Sequence, residues 1–504
     1  MGVRANIAAN FVGQIWAVLI ALVVVPINIH YLGIESYGLI GVFALLQTWL
    51  ALLDMGLTAA LSRELARFTG GSRGVRSMRN LLRSVEIVGC GVALAIALGV
   101  WAGSEWLATD WLRVDNLPRE AVAKAFAMMG LLTSLRFIED IYRASIIGLQ
   151  RQVALNVVVV ISATVRAVGG VVVLSQIAPT ITAFFQWHLL VSAATVLAFA
   201  VVLYRWLPAC EQSARFSVES LRSVWRFAAG TVTLTVLGFV LSSADKVILT
   251  RLLTLEEFGY YSLAFSIAGA LRLLVHPVDQ STYPRLTELL TRGDNAAVAM
   301  VYHRGAQLSS VLIGTAAGFL VAFGFEALSV WTQNLDLAAR TYPIVAVLSI
   351  GMMLNGLLNS PYYLQMAAGW TALLVRVNAV LAFLFVPATY WLALRFGAVG
   401  GAAAWVLINV AYIVVVVPVM HRRLLQGEMW RWLAHDVALP LTVGAAILVI
   451  FRLVMPGNLD TALLATFIGA AGLCAITGAA LSAGHVRSAL LQGLMRRGTF
   501  AWPA

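Results

Sequence analysis

Charged side chains are scarce in this sequence of 504 residues: Asp, Glu, Lys and Arg make up 11% of it, against about 25% in a soluble domain. Hydrophobic residues make up 61%, and the mean hydropathy is +0.88. This balance excludes a water-soluble enzyme of this length. Apolar runs of about 20 residues, each able to cross about 30 Å of hydrocarbon as a helix, fill most of the chain. The sequence therefore predicts an all-α polytopic membrane protein.

Cysteines and catalytic motifs are also scarce. Cys90, Cys210 and Cys474 lie far apart, the first and last inside apolar runs, so the sequence predicts neither a disulfide framework nor a metal cluster. It contains no ATP-binding P-loop and no H-E-x-x-H motif. The longest outer loop, about Ser104 to Glu120, is too small for a catalytic domain. We predict a protein that is not an enzyme and uses no cofactor, with a proton or Na⁺ as a candidate coupling ion.

Fourteen apolar runs separated by charged or turn-forming residues give fourteen candidate transmembrane helices. They are Ile7 to His30, Gly38 to Ser62, Leu81 to Gly103, Ala121 to Gly148, Val153 to Ser175, Ile181 to Leu207, Val224 to Thr250, Phe258 to Pro284, Gly305 to Trp331, Thr341 to Leu364, Thr371 to Phe396, Val399 to His421, His435 to Met455 and Leu459 to Leu481.

The net charge of +11 is unevenly divided between the two sides of the predicted membrane. Of the 34 Lys and Arg residues, 21 fall in the loops of one side and 8 in those of the other. Cytoplasmic loops carry the excess of positive charge, so we predict that both termini are cytoplasmic. The basic balance thus reflects orientation, and we expect no nucleic-acid partner.

A motif repeats in the two halves of the chain. Leu32–Gly38, between helices 1 and 2, returns as Leu253–Gly259 between helices 7 and 8, both with the pattern L-x-x-E-x-[YF]-G. Six helices per repeat is an even number, so both copies enter the membrane in the same direction and are related by an axis along its normal. We predict a six-helix lobe over 1–215, a second over 216–425, and two additional helices with a cytoplasmic tail over 426–504.

Helix 4 contains four charges on one face: Arg136, Glu139, Asp140 and Arg143, at i, i+3, i+4 and i+7. An ionisable side chain at mid-membrane costs roughly 2.5 to 3.5 kcal/mol on insertion scales, so each needs a partner or a hydrated cavity. Two interpretations stay open. The stripe either neutralises itself and fixes helix 4 to its neighbours, or it faces a hydrated path for substrate or protons.

Helix 8 has a similar face, with Arg272, His276 and Asp279 at i, i+4 and i+7. Pro277 lies beside them and is expected to break the backbone hydrogen bonding and permit a hinge or a wetted kink. This favours a cavity lining over a packed seam. His276 is either a proton carrier or a satisfied hydrogen-bonding group.

Three further charges lie within single spans. Arg166, near the middle of helix 5, has no acid close in sequence, so its partner must come from another helix or a ligand such as pyrophosphate. Arg376 lies nearer the cytoplasmic end of helix 11 and can extend to the interface. Asp54, on helix 2, either pairs with an arginine of helix 4 or 8 or carries a coupling proton.

Short motifs in both halves resemble the polysaccharide transporter family, of the O-antigen flippase type, within the multidrug/oligosaccharidyl-lipid/polysaccharide superfamily. The resemblance spans roughly residues 5 to 425. The motifs are Asn10-Phe11, Pro26, Tyr31 to Gly38, Leu53 to Leu57, Arg63-Glu64, Ala244 to Lys246 and Glu256 to Tyr261.

The resemblance implies an inner-membrane flippase with two six-helix lobes around a central cavity. It implies transfer of undecaprenyl-pyrophosphate-linked oligosaccharides to the periplasmic leaflet, with membrane lipids, polysaccharide polymerase and chain-length machinery as expected partners. The candidate substrate-binding residues are Arg166, Arg272, Arg136, Arg143 and Arg376. The candidates for ion coupling or gating are Asp54, Glu139, Asp140, Asp279 and His276. Alternatives are a cation-coupled drug exporter of the same fold, a lipid II flippase, and an enzyme that acts on the same lipid-linked sugars.

Overall fold

The computed structural model of this chain describes residues 3–54, 56–69, 74–208, 214–219, 221–222 and 232–495. Across these ranges the regular structure is helical, and the one β feature is an isolated bridge between Arg113 and Thr254. The prediction of an all-α chain is confirmed. Cys210 and the end of the predicted tail, 496–504, lie outside the described residues.

We number the α-helices in chain order; short π-helical turns extend three of them. The helices are α1 Val3–Asp54, α2 Leu57–Thr69, α3 Val75–Trp106, α4 Arg119–Gly148, α5 Gln152–Val172, α6 Ile181–Trp206, α7 Val232–Leu252, α8 Leu255–Arg292, α9 Asn295–Thr332, α10 Leu335–Leu357, α11 Asn359–Ala367, α12 Ala372–Leu424, α13 Met429–Arg431, α14 Leu439–Leu453, α15 Thr461–Ser482 and α16 Gly484–Met495. The π-helical turns are Leu107–Trp111, Val173–Ile177 and Trp432–Ala438.

Eleven helical stretches of the described chain are long and apolar enough to cross a membrane. Two of them, α1 and α12, are broken by glycines with positive φ: Gly33 (φ 77°) and Gly397 (φ 56°). Glycine adopts this conformation without steric cost, so each of these helices supplies two membrane segments. With α7 as a further segment of 21 residues, the described residues contain fourteen, as predicted.

The second predicted span ends earlier than expected. The prediction of one helix from Gly38 to Ser62 is wrong, because α1 stops at Asp54, Gly56 takes φ 79°, and the separate amphipathic helix α2 follows. An amphipathic helix with arginines on one face fits the membrane interface better than the hydrocarbon core. The buried face of α2 consists of Ala60, Leu61, Glu64 and Leu65.

The first compact unit, Met1–Gly259, has a buried core built by α2 to α6. Small residues allow its helices to approach closely. A Cβ on Gly148 of α4 would lie 2.6 Å from the Ser62 carbonyl oxygen of α2, so this contact requires glycine. The core residues include Leu61, Leu65, Leu81, Val85, Phe137, Ile141 and Phe199.

The second compact unit, Tyr260–Ala504, contains the two additional C-terminal membrane helices, α14 and α15, packed on α9. An apolar cluster around Phe323, Leu448 and Ile468 joins the three helices. Arg452 of α14 forms an ion pair with Glu326 of α9 and lies over the Phe323 ring. The extra helices are thus attached to the ninth span by both apolar and ionic contacts.

The repeated motif makes a reciprocal contact inside the first unit. A Cβ on Gly38 would overlap the Leu255 carbonyl oxygen, and a Cβ on Gly259 would overlap the Ile34 carbonyl oxygen. In each case the last residue of one copy meets the third residue of the other. The shared glycine therefore has a packing reason in both copies.

A second correspondence between the halves is a cation–π contact with its partners exchanged. Arg151, after α4, lies 3.8 Å from the centre of the Trp206 ring at the end of α6. In the other half, Trp370 precedes α12 and lies 4.3 Å from Arg423 near the end of that helix. Equivalent loops and helix ends are joined in both halves, which supports the internal repeat. The lobe boundaries at 215 and 425 stay a prediction.

Candidate substrate site

The predicted charged stripe of helix 4 lies on α4 and is only partly self-paired. Arg143 Nη1 lies 3.6 Å from Oε1 of the buried Glu139, so one pair neutralises itself. Asp140 is exposed and Arg136 is half-buried. The Nε of Arg136 is buried and has no hydrogen-bond partner among the described residues. The stripe therefore combines a structural pair with a cation that its own helix leaves unsatisfied.

Arg166 on α5 is held mainly through its backbone. Its Nη2 lies 3.5 Å from Ser192 Oγ of α6, at the limit of a hydrogen bond. Trp187 Nε1, also on α6, donates to the Arg166 carbonyl oxygen at 3.2 Å. The indole packs on Gly169 so closely that a Cβ there would overlap its ring. α6 thus fixes the arginine's main chain, whereas the buried Nε of its guanidinium makes no hydrogen bond with the residues that the structure describes.

Charged residues of predicted helices 4 and 5 come together around Arg166. It lies within electrostatic range of Arg136, Glu139 and Arg143, and Asp140 lies within range of Asp54. Arg136 Nε, Arg166 Nε and Glu139 Oε2 are buried atoms that make no hydrogen bond with the described chain. Leaving a buried donor unsatisfied costs about 1–3 kcal/mol, and more when it is charged. An anion with several oxygen atoms would satisfy both guanidinium groups.

His188 of α6 joins this group. Its Nδ1 lies 2.9 Å from the Phe184 carbonyl oxygen, and because a carbonyl only accepts, Nδ1 carries the hydrogen. The other ring nitrogen is then an acceptor, and the ring lies within electrostatic range of Arg166 and Arg136. In the sequence, no charge stands at helical spacing from His188. Its charged neighbours come from other helices.

Asp54 has a structural role that its predicted position did not suggest. It ends α1, and its two oxygens accept from Thr58 of α2: Oδ1 from the backbone N at 3.1 Å and Oδ2 from Oγ1 at 2.9 Å. It therefore caps the interfacial helix while lying near Asp140. Its role in ion coupling stays a prediction.

In the second unit, Arg272, His276 and Asp279 lie along α8. Asp279 is buried and accepts from Asn359 Nδ2 at 2.7 Å, whereas Arg272 and His276 are exposed. Arg272 and Tyr363 lie within electrostatic range of Asp279. Pro277 lies inside α8, which runs as one helix from Leu255 to Arg292, and the hinge or wetted kink expected there stays a prediction. Proline removes one backbone donor here, and the rest of the helix keeps its hydrogen bonding.

Arg376 lies in the first turns of α12 and is exposed. It makes no hydrogen bond or ion pair with any residue that the structure describes. Its position near a helix end agrees with an arginine that extends to the membrane interface.

Comparison with known proteins decides the family. Residues 3–290, more than half of the chain, match the family model described as "Polysaccharide biosynthesis protein". The chain belongs to this family. A Shigella flexneri protein named "Putative O-antigen transporter" is 19% identical over 421 residues, which cover 80% of this chain and 94% of that protein. The family expected from the motifs is confirmed.

Solved structures place this polysaccharide biosynthesis protein in a known fold. The lipid II flippase MurJ in an inward closed conformation superposes with a TM-score of 0.70 at 12% identity, covering 98% of this chain and 100% of that one. An inward-facing multidrug resistance MATE family transporter of the MOP superfamily gives 0.68 at 13% identity, covering 82% and 96%. The fold is therefore that of the MOP superfamily transporters.

A second buried polar cluster in this family member was not predicted. His303 of α9 contacts Asp436 in the π-helical turn Trp432–Ala438 and Glu428 just before α13. Each of these residues lies near the end of a predicted span, where a charge suggests only the interface. In the sequence, His303 and Asp436 stand close to the ends of two separate predicted spans. Because they are 133 residues apart, no local sequence pattern shows that they form a pair.

Proposed function

We propose that this protein is a flippase that moves undecaprenyl-pyrophosphate-linked oligosaccharide repeat units from the cytoplasmic to the periplasmic leaflet of the bacterial inner membrane. The units would serve the synthesis of a cell-surface polysaccharide such as O-antigen or exopolysaccharide. Family membership and the likeness to an O-antigen transporter support a sugar-lipid substrate.

The observation that carries the proposal is a pair of neighbouring arginines, each with a buried Nε that makes no hydrogen bond with the described residues. Arg136 and Arg166 lie near each other on neighbouring helices, each with a buried Nε that no described residue accepts. Two adjacent arginines repel one another unless an anion neutralises them. Guanidinium pairs bidentately with phosphate oxygens, so a pyrophosphate would match the charge of this pair.

In this mechanism the arginines hold the pyrophosphate, the polar cavity accepts the sugars, and the lipid tail stays in the bilayer. Alternating access then exposes the headgroup to each side in turn. The coupling ion would be a proton or Na⁺, with Asp54, Glu139, Asp140, Asp279 and His276 as its candidate carriers. Arg272, Arg143 and Arg376 are further candidate substrate contacts. Both termini would be cytoplasmic, and polymerase and chain-length machinery would use the product.

A second candidate, lipid II flipping, is favoured by one observation: the MurJ structure covers 98% of this chain, including the two C-terminal helices. Both substrates are polyprenyl pyrophosphates, so the same arginines would serve either. A drug exporter would favour carboxylates and aromatic rings around the substrate, and the surplus of arginine opposes it. The mass of the lipid-linked sugar that accumulates without the protein separates these candidates.

The first test uses cells that lack the gene. Lipid-linked oligosaccharides are extracted after labelling restricted to the periplasm, and their leaflet and mass are determined. Accumulation of a repeat unit on the cytoplasmic side, reversed by the wild-type gene, would support the proposal. Accumulation of lipid II would select the second candidate, and normal periplasmic exposure of both lipids would reject both.

The second test replaces Arg166 or Arg136 with Ala. Loss of a charge-assisted contact worth about 1.5–3 kcal/mol predicts roughly 10- to 150-fold slower export, with the protein still present in the membrane. Arg166→Lys keeps the charge but loses the bidentate fork, so we expect partial export. Arg340→Ala, at the exposed start of α10, is the matched control. Wild-type export by both Ala variants would remove these arginines from the mechanism.

A further inference from the structure

His303 on α9 lies between two carboxylates. Its Nδ1 contacts Asp436 Oδ2, and its Nε2 lies 3.0 Å from Glu428 Oε2. The side chains of His303 and Asp436 are 1% exposed, whereas that of Glu428 is 31% exposed. The cluster is thus buried on one side and reaches water through Glu428.

The two contacts determine how many protons the cluster must hold for both of them to be hydrogen bonds. An ionised carboxylate only accepts hydrogen bonds, and a neutral imidazole carries a single N–H. If the cluster held a neutral His303 and two carboxylates, one ring nitrogen would face a carboxylate oxygen with no hydrogen between them. Both contacts become charge-assisted hydrogen bonds when one more proton is present.

Neighbouring groups fix Asp436 and extend the cluster to the C-terminal helices. Gln307 Nε2 donates to Asp436 Oδ1 at 2.8 Å, and Gln307 Oε1 accepts from the backbone N of His485 at 2.8 Å. One glutamine side chain therefore joins α9 to the π-helical turn and to α16. Because the second oxygen of Asp436 is occupied, the carboxylate cannot turn away from His303 without losing this bond.

We propose that His303, Asp436 and Glu428 form a proton-binding site that holds residues 425–438 and α16 against α9. The proton comes from hydronium in the surrounding water by way of Glu428, the most exposed of the three: one O–H bond of hydronium breaks and leaves water, and one N–H bond forms at the His303 ring. Loss of the proton at higher pH leaves one contact without a hydrogen and weakens the attachment. The site stands apart from the arginines and does not depend on what the protein transports.

Other titratable and charged groups face the cluster from each packed element. Tyr302 of α9 contacts His421 of α12 at 3.2 Å, and Arg431 of α13 lies 3.6 Å from Glu428. On α16, burial and then the charge of Arg304 lower the pKa of His485. His485 is therefore neutral near pH 7 and supplies no competing positive charge.

The test is a histidine titration by nitrogen NMR on the full chain in liposomes. The chain has 7 histidines, so ¹⁵N-histidine labelling gives few signals, and loss of one signal in His303→Gln assigns His303. We expect a doubly protonated imidazolium near pH 7 that loses its proton as the pH rises, and a titration shifted to lower pH in Asp436→Asn, which removes a negative partner. A single neutral tautomer from about pH 6 to 8, across the usual histidine range, would overturn the proposal.

Hydrogen–deuterium exchange measures the attachment itself. In the wild type, the amides of 425–438 and α16 should exchange faster, after correction for intrinsic rates, once the site loses its proton. His303→Gln should show the faster exchange at every pH, whereas His435→Gln, an exposed histidine beside Asp436, should match the wild type. Equal protection in His303→Gln would contradict the proposal. If that variant does not fold, Glu428→Gln assigns the His303 signal, and the wild-type titration decides.

Discussion

At the scale of single residues, Asp54 has a structural role and a candidate transport role, and substitutions can distinguish the two. Both of its oxygens accept from Thr58, so the carboxylate serves as a cap for α2. The same side chain lies near the α4 stripe, within electrostatic range of Asp140. A cap needs an acceptor atom, whereas proton coupling needs a group that titrates. These two requirements respond differently to the same substitution.

We predict that Asp54→Asn and Asp54→Ser keep α2 in place, since both side chains accept from a backbone N–H; the export rate of these variants shows whether the carboxylate also carries a coupling proton. Asp54→Ala should destabilise the helix by about 0.5 to 2 kcal/mol, the usual cost of a lost cap. Export assays and thermal unfolding of the purified variants measure the two effects. If Asp54→Asn stops export while its unfolding temperature stays that of the wild type, Asp54 is a coupling residue.

Sequence reasoning recovered same-helix relations and missed those between helices. The spacing of Arg136 to Arg143 placed four charges on one face, and the structure has them on α4. The partners of Arg166 and Asp279, by contrast, are Ser192 and Asn359, neutral residues 26 and 80 positions away. A helical period relates only residues within a few turns, so such contacts require the three-dimensional fold.

At the scale of elements, the difference between local sequence signals and contacts between helices explains which helix boundaries were predictable. The breaks at Gly33 and Gly397 fall between predicted spans, where charges or glycines interrupt the apolar runs. The end of α1 at Asp54 was missed because α2 continues the apolar run to Leu61 with hardly a change in composition. The helical course of α8 through Pro277 agrees with the predicted span Phe258 to Pro284, which already contained this proline.

The reciprocal glycine contact gives a prediction for these elements. Gly38→Ala and Gly259→Ala each place a Cβ against a backbone carbonyl that has no rotamer with which to yield. We expect each variant to be destabilised by about 1–3 kcal/mol, as for overpacked sites. The double variant should be destabilised by less than the sum of the two single variants, because one displacement of the two motif copies makes room for both Cβ atoms. Thermal unfolding in detergent measures all three.

Gly99→Ala on α3 is the control for this pair, since a Cβ at that position would meet no atom within 4 Å. It should be neutral, or slightly more stable through the helix propensity of alanine. Unfolding temperatures of Gly38→Ala and Gly259→Ala equal to that of Gly99→Ala would show that the motif glycines are not required for packing.

At the scale of the whole molecule, two properties were predictable because they are sums over the chain. The number of membrane segments follows from apolar length, and the count of fourteen is confirmed despite errors in individual boundaries. The repeat was predicted from a motif that returns after 221 residues. The structure adds two correspondences between the halves that comparing the two sequence copies does not show. One is the reciprocal contact of Gly38 and Gly259, and the other is the Arg–Trp contact with its partners exchanged.

An even number of segments would place both termini on the same side, and the excess of arginine in the loops predicts that this side is the cytoplasm. We predict that green fluorescent protein fused after residue 504 is fluorescent, and that alkaline phosphatase fused there is inactive. A phosphatase fused within the outer connection 112–118, between the π-helical turn after α3 and the start of α4, should be active. An active phosphatase at the C-terminus together with an inactive one in 112–118 would mean that the chain is inserted in the opposite sense. In that case the arginine loops would face the periplasm, and the direction of transport in our proposal would have to be reversed.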